Sequence, residues 1–107
     1  MAVIMDMRWE GVTQDQYDQV MQRLELDEHP PEGGMFHLAG PDDGTWRVVD
    51  VWESPEQFQA FTENRLMGIT QEVGMEGQPE VEFYELHNVW APRGEEVIQQ
   101  GASSLPA

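Results

Sequence analysis

Asp6, Asp50 and His37 are the residues of this sequence whose types can move a proton and whose neighbours are short apolar or aromatic runs able to hold them in place. Two carboxylates held close together in a partly dry pocket push one pKa upward, and the pair then offers a base for taking a proton from a phenol or a carbon acid. Asp50 and His37 form a second candidate pair, because a carboxylate that orients an imidazole makes a proton shuttle. The ordinary alternatives are that each aspartate pairs with Arg8 or Arg47 or reaches water, and that His37 is a buried histidine with its hydrogen bonds met. Trp52 and Trp46 are candidates for stacking a planar aromatic ligand, with Met5 and Met35, alongside Met7 and Met67, as soft, adaptable walls. Tyr84 and His87, at the end of the last apolar run, complete the ligand-contact set. For any one of these side chains, core packing or a subunit contact explains its presence as well.

Other chemistries lack a foothold. The three histidines (His29, His37, His87) never stand at i, i+2 or i, i+4, and there is no cysteine, so neither a metal nor a cofactor is expected. Gly-x-Gly-x-x-Gly, Walker and Gly-x-Ser-x-Gly patterns are absent, which removes the usual support for nucleotide binding and acyl-serine catalysis.

These side chains need elements to position them. Ala2 to Arg8 is short, apolar and followed by Gly11, which suits a buried strand. Thr13-Gln-Asp-Gln16 reads as a capping box, with Val12 and Tyr17 at the staple positions, so a helix begins there. Tyr17, Val20, Met21 and Leu24 form its apolar stripe, and the helix should end by His29-Pro30-Pro31. Residues 34–39 and 45–53 read as strands joined by a hairpin loop over Gly40–Gly44. Ser54-Pro-Glu-Gln57 starts a second helix, whose buried face continues through Phe58, Phe61, Leu66 and Ile69. Gly68, Gly74 and Gly77 are expected to break that stretch into a main helix and a shorter turn, before a fourth strand over 79–87.

The order β-α-β-β-α-β is a split βαβ pair and predicts an α+β protein, a four-stranded antiparallel sheet with both helices on one face. Strands one and three are then central neighbours. Asp6 and Asp50 are expected on the side opposite Met5, Val49 and Val51, so that the two carboxylates share a face. Alternation along strand three groups Trp46, Val48, Asp50 and Trp52, and on the uncovered face such tryptophans would demand a second subunit. A homodimer is the expected assembly.

Length and charge bound the rest. The 107 residues allow one domain, read as 1–90, with a tail over 91–107 anchored only by Val97, Ile98 and Leu105. Twenty-one acidic residues against five arginines give −16, a field that repels phosphate backbones and anionic lipid, so neither nucleic acid nor a membrane is an expected partner. With no basic segment at the N-terminus and no run of about 18 apolar residues, the cytoplasm is the expected location.

The run Val49-Asp50-Val51-Trp52-Glu53-Ser54-Pro55-Glu56-Gln57-Phe58-Gln59-Ala60-Phe61 resembles the signature stretch of the antibiotic-biosynthesis-monooxygenase-like (ABM-like) group of the dimeric α/β-barrel superfamily, in which an acidic residue and tryptophan precede a capped helix carrying a histidine. The resemblance spans about residues 2–90 in element order and implies a ferredoxin-like protomer, a barrel formed by two sheets, and a pocket for a hydrophobic small molecule. Asp50 stands where the group often has glutamate, Trp52 and Ser54 match, and Phe61 stands where many members have histidine. Phenylalanine has no lone pair for iron, so haem is disfavoured. The cofactor-independent monooxygenases of the group typically carry an asparagine on the first strand, where this chain has Asp6. The resemblance therefore implies cofactor-independent oxygenation of a polycyclic phenol, beside two other readings: an isomerase or cyclase using the same acids, and a non-catalytic binding or structural dimer.

Overall fold

The computed structural model describes residues 1–102. Its elements follow in the order β1 (Val3–Glu10), α1 (Gln14–Leu24), β2 (Gly34–Asp42), β3 (Thr45–Trp52), α2 (Pro55–Phe61), a π-helical segment (Thr62–Leu66), α3 (Met67–Val73), β4 (Glu80–Glu85) and α4 (Gly94–Ala102). The strands form one antiparallel sheet in the order β2-β3-β1-β4, so β1 and β3 are the central pair. This is the ferredoxin-like α+β fold. Among the described residues no helix is long and apolar enough to cross a membrane.

Local chemistry sets each boundary. Thr13 accepts from the Gln16 amide while the Gln16 side chain accepts from the Thr13 amide, which closes the capping box that begins α1. The helix stops at Leu24, one turn before the prolines, because Glu25 adopts the left-handed conformation (φ 50°) and the Arg65 guanidinium donates to the Leu24 carbonyl at 2.9 Å. Ser54 caps α2 with Pro55 at its first turn. Gly68 does not break the helical run. Instead the π-helical segment absorbs the five-residue step between Phe61 and Leu66, which keeps both on the inner side, and the run ends only at Gly74 (φ 86°).

The β2–β3 hairpin is tighter than a five-residue loop. β2 continues to Asp42 and β3 starts at Thr45, leaving a two-residue turn of Asp43 and Gly44, both with positive φ (49° and 84°). That turn type matches the twist of paired strands, and it fixes Leu38 opposite Val49 and His37 opposite Asp50.

One face of the sheet is covered by the helices. Met5, Met7, Trp52 and Phe58 are its buried centre, flanked by Val3, Trp9, Val48, Phe61, Val81 and Phe83. Trp46 and Trp52 therefore lie under the chain's own helices, at 7% and 3% exposure, and are not the uncovered patch that the sequence suggested. The uncovered face carries Ile4, Val49 and Val51 in the centre, with Phe36, Leu38 and Tyr84 about half exposed. In the segment read as a tail, residues 94–102 form α4, with Val97 and Ile98 exposed; Leu105 lies outside the described residues.

Candidate functional site

Between the inner face of the sheet and α1, α2 and α3 lies a cavity of about 240 Å³. Its walls are almost wholly apolar: Met5, Met7 and Trp52 from the sheet, Tyr17, Val20 and Leu24 from α1, and Phe58, Phe61 and Leu66 from the later helical run. Asp50 is the single charged carboxylate among the described residues that line it, and no arginine does. Thr70 also lines it, but its hydroxyl is already donated to the Met67 carbonyl at 3.0 Å.

Asp50 is held at one end of this cavity. Its residue on β3 faces inward beside Trp52, two residues along, and Trp52 Nε1 donates to Asp50 Oδ2 at 2.9 Å. Across the hairpin, His37 Nδ1 lies 2.6 Å from Asp50 Oδ1. The carboxylate has 10% of its side chain exposed and the imidazole 35%, so the pair spans from the interior to the edge strand. An ionised carboxylate only accepts, so in the neutral form of the imidazole this contact puts the proton on Nδ1 and leaves the lone pair on Nε2. That lone pair faces the phenol of Tyr17, whose oxygen is 2.5 Å from Nε2. The result is a continuous chain from Tyr17 through His37 and Asp50 to Trp52.

Tyr17 was legible as a staple residue and a member of the α1 apolar stripe, and not as a site residue. A hydroxyl in a buried stripe needs a partner, and that requirement was the available signal. Its ring is parallel to His37 within 2° and packs on Trp46 with centroids 5.0 Å apart. Burial, reinforced by the negative charges of Asp50 and then Asp18, raises its pKa well above the ordinary phenol value. The phenol is therefore neutral at any physiological pH.

Asp6 does not join this group. It lies opposite Val49, and antiparallel partners share a face, so it points to the uncovered side while Asp50, opposite Met5, points inward. There Arg47 Nη2 donates to both Asp6 oxygens at 3.1 and 3.2 Å, and hydrogen bonds from Arg47 to Asp6 and then to Asp42 raise the guanidinium pKa. The expected carboxylate pair is replaced by an ion pair on one face and a histidine-carboxylate pair on the other. Tyr84, opposite Ile4, is also on the uncovered face, and His87 is exposed beyond β4; neither lines the cavity. Met35 and Trp46 do line it, Met35 with 58% exposure at its edge.

No protein-family model matches the sequence, and none of the curated proteins does. Solved structures match over most of the chain. SnoaB from Streptomyces nogalater, a cofactor-independent oxygenase, superposes with a TM-score of 0.58 at 11% identity, over 82% of this chain and 94% of its own. A monooxygenase from the gene ActVA-Orf6 of Streptomyces coelicolor, solved with the ligand nanaomycin D, gives 0.59 at 14% identity over 85% and 92%. A dimeric ferredoxin-like protein of unknown function from Thermobifida fusca gives 0.56 at 20% identity over 80% and 92%. The chain has the ferredoxin-like fold of the ABM-like proteins.

Proposed function

We propose that this protein is a homodimeric, cofactor-independent monooxygenase acting on a neutral, hydrophobic aromatic molecule that bears an acidic hydroxyl or methylene. The observation that carries the reading is the His37–Asp50 hydrogen bond of 2.6 Å at the polar end of an otherwise apolar cavity. Asp50 and Trp52 hold the tautomer in which Nε2 is the base, and the imidazolium formed on proton uptake gains the adjacent carboxylate as counter-ion. The absence of arginine among the described lining residues leaves a substrate phosphate or carboxylate unpaired, so a neutral ligand fits.

Removal of a proton from such a substrate gives an electron-rich carbanion or phenolate. That anion donates electrons to O₂, the two join through a carbon–oxygen bond, and cleavage of the oxygen–oxygen bond releases water. For a methylene, CH₂ plus O₂ yields C=O plus H₂O; four electrons leave the substrate, and the proton taken by His37 returns in the water. The apolar lining of the cavity protects the anion from reprotonation. Fold similarity to SnoaB and the ActVA-Orf6 protein supports oxygenation among the reactions open to such a base.

Dithranol, a dihydroxyanthrone, is a suitable probe because its oxidation to the quinone is visible by absorbance. The wild-type chain should consume O₂ and form the quinone, and His37→Gln should lower the rate about 10²-fold or more. O₂ uptake unaffected by His37→Gln would overturn the assignment of the base. Binding without turnover would instead support a ligand-binding protein, a reading favoured by one observation: the Nε2 lone pair is already occupied by Tyr17.

A further inference from the structure

Resting on that reading, we propose that Tyr17 is itself a catalytic residue, the relay through which the substrate proton reaches His37. The occupied lone pair then becomes part of the mechanism. Tyr17 is the group at the polar end that both lines the cavity and hydrogen-bonds Nε2. Several contacts hold its ring in this position: it lies parallel to the imidazole, packs on Trp46, and sits in the first turns of a helix that starts at the Thr13–Gln16 capping box. His37 also lines the cavity, but its Nε2 is engaged by the phenol, so a substrate reaches that lone pair through the Tyr17 hydroxyl or by displacing it.

The transfer is a two-proton shift. The substrate O–H or C–H bond breaks as its proton bonds to the Tyr17 oxygen, while the Tyr17 O–H bond breaks and that proton bonds to Nε2. Tyr17 begins and ends neutral, His37 becomes imidazolium beside Asp50, and the substrate holds the electron pair as an anion. The raised pKa of Tyr17 is consistent with this coupling, since a free phenolate there would be buried away from water and would also face the charges of Asp50 and Asp18. The relay favours a substrate whose acidic group is a hydroxyl, because an oxygen donor can hydrogen-bond to the phenol oxygen before transfer.

The test compares Tyr17→Phe and His37→Gln on dithranol, with binding followed under anaerobic conditions by quenching of tryptophan fluorescence. The relay predicts that Tyr17→Phe, which keeps the ring, binds dithranol within about threefold of wild type while kcat falls about 10²-fold. Wild-type or higher kcat in Tyr17→Phe, with His37→Gln inactive, would overturn the relay and leave the base assignment standing: the phenol would then only plug the site. An active His37→Gln, or no turnover of dithranol by the wild-type chain, would overturn both. Should Tyr17→Phe fail to fold, fluorotyrosine incorporated in the Tyr84→Phe background keeps the question open to decision. A kcat that changes with the acidity of the substituted phenol supports the relay, and one indifferent to it overturns it.

Discussion

At the scale of single residues, the site depends on which atom of His37 carries the proton. Asp50 fixes this by accepting twice, from Trp52 Nε1 and from His37 Nδ1. In Asp50→Asn the amide oxygen can still accept from Trp52, but the amide nitrogen must donate to Nδ1, which moves the ring proton to Nε2. Every hydrogen bond is then remade with Nε2 as donor to Tyr17, and the base is gone. Asp50→Asn should therefore lower turnover about 10²-fold or more with its melting temperature nearly unchanged; full activity in the folded variant would show that the tautomer does not matter. Tyr17 gives a second expectation. Its folded pKa lies above its ordinary value of 10.0, so as pH rises through 10.0 the unfolded chain loses a proton that the native chain still holds. Stability contributed by the neutral phenol is complete below that pH and is lost as pH climbs toward the folded value. Denaturant melts should show wild type weakening more steeply than Tyr17→Phe above pH 10 and in parallel with it below; parallel slopes throughout would contradict the burial of the phenol.

At the scale of elements, the site is a product of strand register. The Asp43-Gly44 turn sets the pairing that places His37 opposite Asp50, and Gly44 at φ 84° is the residue there that an L side chain opposes. Gly44→Ala should cost about 1–2 kcal/mol, read as a lower urea midpoint at unchanged slope; an unchanged midpoint would mean that the turn tolerates a side chain. The same turn explains what the sequence concealed. Asp-Gly between alternating apolar residues is a hairpin signal, and counting pairs outward from it reaches His37 and Asp50. Taking the whole Gly40–Gly44 stretch as loop left that register open. The capping residues Thr13 and Ser54 and the order of the strands were readable because they are local or follow from alternation. Asp6 was misplaced because its face depends on the β1–β3 register, which no turn joins and only the assembled sheet defines. The π-helical segment was equally hidden: its apolar step of five residues resembles a break until both ends are seen packed inward.

For the whole molecule, the covered and uncovered faces of the sheet exchange the roles that composition suggested. The tryptophans serve the interior, and the face left open carries Ile4, Val49, Val51, Phe36, Leu38 and Tyr84 around the Asp6–Arg47 ion pair. Soluble monomers rarely expose a contiguous apolar patch of this kind, and a second copy laid sheet to sheet would bury the same residues twice over. A stable contact of that type covers upward of about 1,000 Å². Each copy also brings a charge of −16, so association works against like-charge repulsion that salt screens within about 8 Å at physiological ionic strength. The homodimer should therefore tighten between low and moderate sodium chloride. Leu38, 47% exposed at the centre of β2 on this face, is the residue on which to test it: a glutamate there leaves the protomer core untouched but buries an unpaired charge in the dimer. Sedimentation at micromolar concentration should find wild type near twice its 12.3 kDa protomer mass and Leu38→Glu as a folded monomer by circular dichroism. A wild-type monomer at that concentration, or a Leu38→Glu dimer of undiminished affinity, would place the apolar face outside any self-association.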